Sequence, residues 1–283
     1  MLTLAMLRTL WPRGDSAVPG LIEAIAADAP TLFPKYGLDS DLAIAHAMAQ
    51  FSVECAGGSL MQENINYTPA RACVVWPNRF ENVADCYAKI GAFDGDPDFC
   101  AKLINFVYGG RNGNRIGTDD GVTFIGRGLS QVTGRANYAD VGTSVGLDLL
   151  GNPDLLSAPE HALECGLASF VLCNCLPFAL ADDVQGVTKH LNGDFTGLKA
   201  RTDWLLRWKT ALGSQDPPLH STAWLQNALN RLGADPALIP NGMYGPQTEA
   251  AVRGFQTARA LEIDGKVGPE TWAALDAALA ALN

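Results

Sequence analysis

The chain has 283 residues, of which 48% are hydrophobic and 18% charged, and its formal net charge at pH 7 is −10. This composition is typical of a globular protein and excludes both a disordered chain and one built of membrane spans. The acidic balance argues against nucleic acid as a partner, because affinity for nucleic acid rests on Lys and Arg that neutralise phosphates. The length allows one large domain or two of ordinary size.

The first segment, MLTLAMLRTLWPRGDS, predicts a helix that belongs to the fold. Its apolar stretch before Arg8 is too short to span a membrane, and it lacks the basic region and small-residue cleavage site of a signal peptide. We therefore expect no stable membrane insertion. We also expect the chain to stay in the cytoplasm until some other route releases it.

The second predicted helix ends just before a pair of glycines. Apolar residues recur at helical spacing between residues 42 and 55, Ser40 or Asp41 can cap the N-terminus, and Gly57 stops the helix. Glu54 therefore falls in the last helical turn. Similar patterns predict helices at 161–172 and 202–212, with few alternating patterns, so we expect a mainly α fold with long loops.

Seven cysteines, an odd number, do not form a complete disulfide set. None forms a CxxC pair accompanied by a matching His/Cys cluster, so the sequence does not predict a zinc site or any other metal site. We expect most of these cysteines to be small buried hydrophobic residues. They are Cys55, Cys73, Cys86, Cys100, Cys165, Cys173 and Cys175.

The C-terminal segment contains an internal repeat. After a Pro-rich linker at 213–218, the stretch NGMYGPQTEAAV at 241–252 is echoed by DGKVGPETWAAL at 264–275. Each copy combines a turn, a Gly-Pro pair that starts a helix, and a Thr or Glu expected to cap it. With a leading helix around residues 223–229, the repeat predicts a compact three-helix module.

Residues 219–283 resemble the peptidoglycan-binding domain found beside many cell-wall hydrolases. The residues that carry the resemblance are Leu225-Gln226, the doubled xGxxGPxT pattern, and Phe255-Gln256 between the copies. The resemblance implies that the glycan strands of peptidoglycan are the partner. It also implies three parts: a catalytic domain at 1–212, a linker at 213–218 and the binding module at 219–283.

Glu54 and Glu63 have opposed sequence environments. Glu54 lies at the negative end of a helix after the apolar Phe51 and Val53, and both features favour a neutral carboxyl. Glu63 lies in a segment rich in Asn and Tyr, where hydrogen bonds favour an ionised one. Such a pair suits the cleavage of glycosidic bonds. The spacing alone, however, favours two surface glutamates that cap helices.

Longer motifs are similar to those of glycoside hydrolase family 19, the chitinase-like family with a lysozyme-like fold that includes phage-type lysins. AQFSVECAGGSLMQENINYT looks like the catalytic stretch, and GRGLSQVTGRANY matches the pattern GRGxxQxTxxxNY at every fixed position. Later Asn-Gly and Arg elements extend the resemblance over residues 1–212. It implies a lysozyme-like helical catalytic domain, a monomer, and acid–base hydrolysis without metal or organic cofactor.

Carried over by this resemblance, Glu54 becomes the general acid and Glu63 the second carboxylate. In chitinases the base comes instead from a loop closer to the GRG motif, which would make Asp119 or Asp120 the alternative base. Thr68 or Thr133 would hold the attacking water. The residues implied to contact the sugar or orient the carboxylates are Tyr67, Gln131, Thr133, Asn137, Asn192 and Arg201.

The resemblance implies an endolysin that cuts the β-1,4-linked glycan of peptidoglycan and that reaches the wall through a holin-like membrane lesion. Two alternatives remain open. One is a chitinase, with the same chemistry on a polymer of N-acetylglucosamine. The other is a wall-binding protein whose enzyme domain has decayed. The last receives support from Val53, because the family usually has His at this position, immediately before the acid.

Overall fold

A computed structural model describes residues 2–213, 220, 222–238, 240 and 243–281. Within these ranges the regular structure is helical, and β pairing is limited to two isolated antiparallel bridges. The mainly α class is therefore confirmed. In chain order the helices α1–α16, with one 3-10 helix η1 after α9, are Leu4–Leu10, Gly14–Ala17, Leu21–Lys35, Asp41–Glu54, Pro69–Val75, Val83–Ile90, Phe99–Tyr108, Asp120–Thr123, Arg135–Val145, Pro153–Ser157 (η1), Pro159–Leu172, Leu176–Leu180, Val184–Asn192, Leu198–Leu212, Thr222–Arg231, Pro246–Ala258 and Pro269–Ala280.

The described residues fall into two compact units. The first comprises residues 1–37 and 50–173, and the second comprises residues 38–49 and 174–283. In the first unit α10 packs on α3 and α9. One apolar cluster of this unit lies around Phe124, Tyr138 and Leu156, and another lies around Phe80 and Leu103.

Trp11 anchors the N-terminal helix of the first unit. It follows α1, is completely buried, and donates from its indole Nε1 to the hydroxyl of Ser52 at 2.8 Å. A Cβ on Gly58 would lie only 2.9 Å from the Trp11 ring. The tryptophan therefore packs directly against the Gly-rich turn after α4, which fixes where the chain continues toward Glu63.

A buried polar cluster lies in the second unit. The ring Nε2 of His46 and Oδ1 of Asp182 are 2.8 Å apart, and Lys209 donates to Oδ2 of Asp182 at 2.6 Å. Burial lowers the pKa of His46, so the imidazole is neutral at pH 7. Burial also disfavours the charge of Asp182, but hydrogen bonds from His46 and Lys209 outweigh it and lower the pKa of that carboxyl.

The C-terminal part of the second unit has an apolar core of its own, built from α14, α15 and α16 around Leu225, Val252 and Leu275. The two repeat copies are arranged alike: Pro246 and Pro269 each occupy the first turn of a helix. The predicted three-helix arrangement is therefore present. The linker residues after Gly213 and the Asn241-Gly242 turn lie outside the described residues.

The repeated threonines have a different role from the capping role expected of them. Thr248 and Thr271 are buried and accept hydrogen bonds from the side-chain amides of Gln226 and Gln256, at 2.9 and 3.3 Å. The residues at the N-caps of α15 and α16 are glycines that make no side-chain cap. The Thr of each copy thus fastens its helix to a buried Gln.

The expectation for the cysteines is confirmed. All seven are free thiols, four of them buried and three half-buried. Burial raises the pKa of the Cys55 and Cys165 thiols to about 12 in each case. Such thiols stay protonated near neutral pH and act as apolar packing groups.

Candidate active site

Glu54 is the last residue of α4, as the sequence predicts. At the other end of this helix the hydroxyl of Ser40 accepts the amide of Ala43 at 3.2 Å, which confirms one of the two predicted caps. The chain then turns through Gly57, whose φ is +63°. Glu54 itself is half-buried, three residues after the completely buried Phe51. Its position at the helix end is confirmed, and its role as an acid stays a prediction.

Glu63 is held by two neutral donors. The Tyr108 hydroxyl donates to Oε1 at 2.6 Å, and the backbone amide of Gly126 donates to Oε2 at 3.2 Å. Within the described ranges no Lys or Arg forms an ion pair with this carboxylate. Glu63 is therefore fixed in place without a counter-charge, and it keeps lone pairs with which to accept a proton.

A short ladder brings the GRG motif to Glu63. The Glu63 amide donates to the Gly126 carbonyl at 2.8 Å, and isolated bridges pair Gln62 with Arg127 and Arg127 with Val132. Residues 61–63, which end at the Glu63 of ENxNY, thus run side by side with residues 126–128 of the GRG motif. The family motifs form one local structure around the carboxylate.

Gly126 lies at the centre of this site. A Cβ at this position would lie 2.8 Å from Oε1 of Gln131, 3.2 Å from Oγ1 of Thr133 and 3.5 Å from Cβ of Glu63. Those three predicted site residues therefore surround one point, and a side chain there would displace the Gln131 amide and crowd Thr133. Gln131 also has a φ of +50°, a conformation that is costly for a non-Gly residue and is common at functional sites.

The tyrosines near Glu63 are protonated phenols. Burial, and then the hydrogen bond and negative charge of Glu63, raise the pKa of Tyr108 well above its ordinary value. Burial and Glu63 also raise the pKa of Tyr67, which packs against Trp76 with ring centroids 4.9 Å apart. Both phenols therefore stay neutral over the whole range in which a glycosidase works.

Thr68, Thr133 and Asn137 have local structural partners. The hydroxyl of Thr68 caps α5 by accepting the amide of Arg71 at 3.2 Å. The hydroxyl of Thr133 donates to the Gln131 carbonyl at 2.9 Å, while the Asn137 amide donates to the Thr133 carbonyl at 2.8 Å. Thr133, one of the two threonines expected to hold water, lies beside Gly126.

The alternative bases differ in their pairing. Asp120 is 4% exposed and accepts three hydrogen bonds from Arg115, each at 2.9 Å. These bonds lower the pKa of Asp120 to about 2. Asp119 is exposed and accepts from the side-chain amide of Asn105 at 2.8 Å. It lines a cavity of about 570 Å³ beside α7, together with Lys102.

Asn192 and Arg201 belong to the second unit. Asn192 is the last residue of α12, is exposed, and donates to Asp194 at 2.9 Å. Arg201 is 3% exposed and donates from Nε to the Thr196 carbonyl at 3.2 Å. Both therefore stabilise the loop between α12 and α13, and contact with a sugar stays a prediction.

Sequence reasoning missed Tyr108 and the amide of Gly126 as partners of Glu63. Tyr108 ends α7, 45 residues beyond Glu63, and no local pattern links the two. The glycines of the GRG motif gave a partial signal. Gly126 leaves room at the site. Gly128 has a φ of +77°, and a Cβ there would lie 2.7 Å from the Leu156 carbonyl, so backbone conformation and packing account for the glycine at this position.

Within the described residues, none of the helices combines the length and the apolar character that a membrane span needs. No group of three or more His, Cys, Asp or Glu side chains in those ranges could hold a metal ion.

Comparison with known proteins places the chain among the glycoside hydrolases. Residues 25–167, half of the chain, match the model of family 19, whose description is chitinase class I. The chain therefore belongs to glycoside hydrolase family 19. Residues 221–275 match the peptidoglycan binding domain family, which confirms the two-part architecture read from the sequence.

Individual relatives match the chain with differing identity and over differing lengths. The chain is 28% identical over 190 residues to a glycosyl hydrolase family 19 domain-containing protein of Haemophilus influenzae, a match that covers 65% of this chain and 86% of the other. It is 56% identical over 34 residues to chitinase 8 of rice, covering 12% of this chain and 13% of the other. The solved structure of chitinase C from Streptomyces griseus gives a TM-score of 0.46 at 18% identity, over 76% of this chain and 78% of that one.

Proposed function

We propose that the chain is a peptidoglycan hydrolase of the endolysin type, in which Glu54 is the general acid and Glu63 the general base. The observation that carries the proposal is the setting of Glu63. Its carboxylate is fixed by Tyr108 and Gly126, lies beside Gln131 and Thr133, and has no cationic partner in the described part of the chain. The binding module supports peptidoglycan as the substrate.

The reaction follows from these assignments. Glu54 donates its proton to the glycosidic oxygen, and the bond from that oxygen to the sugar C1 breaks. A water molecule attacks C1 from the opposite face and gives its proton to Glu63. Gln131 and Thr133 orient this water. A base that activates water directly gives inversion at C1, which requires the two carboxyl groups to stand roughly 6.5–9.5 Å apart.

Asp119 and Asp120 fit the role of base less well. Both oxygens of Asp120 accept from Arg115, and Arg135 approaches Oδ1 at 3.5 Å, so this carboxylate resists protonation. Asp119 is exposed and accepts from the neutral side-chain amide of Asn105. The ion pairing therefore argues against Asp120, and for Asp119 the assignment of proton transfer to Glu63 rests on the position of Glu63 beside Gln131 and Thr133.

Further parts of the proposal concern the whole protein. Residues 1–212 are the catalytic domain, 213–218 the linker and 219–283 the wall-binding module, which raises the local concentration of the enzyme on an insoluble polymer. The protein acts as a monomer, without nucleic acid, and reaches the wall through a membrane lesion.

A chain ending at Gly213 should stay folded and still cut soluble fragments while binding sacculi less well. Loss of activity on soluble fragments would contradict the boundary.

A chitinase is the second candidate, favoured by the description of the matched family. Mass spectrometry of the products from purified peptidoglycan and from chitin separates the two. The endolysin proposal expects soluble muropeptides with a new reducing end, and the identity of that sugar names the bond. Release from chitin alone would contradict it. No turbidity loss on any wall suspension would favour the decayed, wall-binding protein, for which Val53 is the support.

The same assay tests Glu54. Glu54→Gln preserves shape but cannot donate a proton, so we expect a loss of about 10²–10⁴-fold in the rate. Glu160→Gln, an equal change at an exposed position in the first turn of α10, is the control and should keep full activity. A Glu54→Gln protein that retains more than about a tenth of the wild-type rate would remove Glu54 from the acid role.

A further inference from the structure

The wall-binding module exposes large apolar side chains on its two repeat loops. Met243 and Tyr244 lie in the first loop and Ile263 at the start of the second, and their exposed fractions are 68%, 44% and 51%. Within the described residues after Gly213, no other large hydrophobic side chain is exposed to that degree. The large apolar residues of the three helices pack into or against the core, among them Trp224, Phe255 and Leu275. We call Met243, Tyr244 and Ile263 the loop face.

The two loops are joined to each other. The hydroxyl of Tyr244 in the first loop donates to the Gly265 carbonyl of the second at 2.5 Å. This bond places the Tyr244 ring at the second loop, two residues from Ile263. Met243, Tyr244 and Ile263 therefore lie on or beside loops that are bonded to each other.

Each loop is held from below by a buried glutamine. Gln226 donates to the Met243 carbonyl at 3.1 Å. Gln256 donates to the Lys266 carbonyl at 2.8 Å and accepts the Gly265 amide at 2.9 Å. Both glutamines are at most 2% exposed. The backbone under the loop face is thus fixed before any ligand arrives, which lowers the entropic cost of binding.

Arg253 adds a second restraint on the Ile263 loop. Its guanidinium donates to the carbonyls of Ile263 and Asp264, at 2.8 and 3.0 Å, while pairing with Glu249. Tyr244 joins the loops through its hydroxyl, but the apolar surface exposed at Met243, Tyr244 and Ile263 is not buried in the core. Such patches mark binding surfaces in soluble proteins.

We propose that the loop face binds the N-acetylated glycan strand of peptidoglycan by apolar contact; this inference rests on the proposed function. The CH faces of pyranose rings and the acetyl methyl groups can pack against a Tyr ring and the flanking Met and Ile side chains. The exposed carboxylates of Glu262 and Asp264 border the face, together with the ammonium of Lys266 and with Arg253, whose guanidinium is paired with Glu249. With a chain charge of −10, this border disfavours the carboxylate-rich stem peptides.

The test measures sedimentation of the full-length Glu54→Gln protein with two preparations of sacculi, one intact and one stripped of stem peptides by an amidase. We expect equal binding to both preparations. We also expect little change between about 0.1 M and 1 M salt, where the screening length falls from about 10 Å to 3 Å. Binding that disappears with the peptides, or with salt, would overturn the glycan assignment.

Variants locate the contact. Met243→Ala with Ile263→Ala removes two exposed side chains and leaves the Tyr244–Gly265 bond intact, so the module should melt as before. We expect its affinity for sacculi to fall at least about tenfold, as for truncated interface residues that are central to binding. Leu206→Ala is the matched control, since Leu206 is 62% exposed on α13, and it should bind like the parent.

Two substitutions of Tyr244 distinguish the contribution of its ring to binding from that of the bond that joins the loops. Tyr244→Phe keeps the ring and loses the bond to Gly265, whereas Tyr244→Ala loses both. We expect Tyr244→Phe to retain most of the affinity and Tyr244→Ala to lose it. Parental affinity in the Met243/Ile263 double variant would overturn the loop face as the site.

The failure of this inference is distinguishable from the failure of the proposed function. All loop-face variants with Glu54 intact should hydrolyse soluble glycan fragments at the wild-type rate. If the parent protein does not sediment with sacculi at all, the wall-binding function itself is wrong. If the parent binds and the variants bind equally well, only the loop face is wrong.

Discussion

Glu63 and Asp120 lie in the same unit, and the side chain of each is well fixed, but their neighbours differ in kind. Glu63 accepts from a phenol and a backbone amide, which orient it without adding charge. Asp120 accepts from Arg115, whose guanidinium lowers the pKa of the carboxyl to about 2. In the proposed mechanism the first carboxylate accepts a proton from water, whereas pairing with Arg115 disfavours protonation of the second. The proposal therefore uses the type of donor to separate a reactive carboxylate from a structural one.

The largest expected effect is the loss of turnover on substitution of Glu63. Glu63→Gln should lower turnover of soluble glycan by about 10²–10⁴-fold, because an amide cannot accept the proton of the attacking water. Asp119→Asn and Asp120→Asn, the matched changes in the loop, should leave turnover within about twofold. Thermal melting of all three variants must accompany the rates.

That melting control is needed because of the donors around Glu63. Tyr108 and Gly126 both donate to this side chain, so the NH₂ of a glutamine must face one of them. Some loss of stability is expected for Glu63→Gln whatever its catalytic role. A variant that melts earlier yet turns over normally would make Glu63 structural and move the base to the loop.

A smaller effect on turnover is expected for substitution of Tyr108, a donor to Glu63. Tyr108→Phe removes the hydroxyl that orients Oε1 of Glu63 while keeping the buried ring, and we expect turnover to fall about tenfold, since a hydrogen bond to a charged group contributes about 1.5–3 kcal/mol. Tyr87→Phe is the control, because the Tyr87 hydroxyl also donates to a carboxylate, Asp94, at 3.1 Å but on the surface. Equal rates in both variants would mean that the Tyr108 bond serves folding alone.

The smallest effect concerns stability and its dependence on pH. The pKa of Asp120 is about 2 in the folded chain against an ordinary value of 3.8. The ionised carboxylate therefore stabilises the fold above pH 3.8, and this contribution is lost as pH falls through about 2. Asp120→Asn should lower the free energy of unfolding by about 1–2 kcal/mol at pH 7.

Denaturant titrations of the wild type and Asp120→Asn at several pH values measure this difference. It should shrink between pH 4 and pH 2, in the window that the lowered pKa defines. A difference that stays constant down to pH 2 would mean that packing, and not the ion pair with Arg115, accounts for the loss. Turnover at pH 7 should be unchanged by the substitution.

Local signals in the sequence were sufficient for the helices near the site. Ser40 and Gly57 bracket α4, and the two Gly-Pro pairs start α15 and α16, because caps and turns depend on neighbours within a few residues. The motif letters also identified Glu63, Gln131 and Thr133, which the structure brings to one point around Gly126.

Partners at long range could not be predicted in the same way. The bond from Tyr108 to Glu63 and the guanidinium of Arg115 at Asp120 depend on how helices and loops pack, and no periodicity encodes either. The same holds for the threonines of the repeat. Threonine is a common capping residue, yet Thr248 and Thr271 accept hydrogen bonds from glutamines of the preceding helices.

The buried glutamines of the repeat have a consequence for the evolution of the module. Besides the repeat threonines, Gln226 and Gln256 bind loop backbone: the Met243 carbonyl, the Lys266 carbonyl and the Gly265 amide. Backbone groups are the same whatever side chain is attached. The side chains at Met243 and Lys266 can therefore change while these bonds persist, whereas Asp264, whose carboxylate also binds Gln256, and Gly265, with a φ of +68°, are constrained.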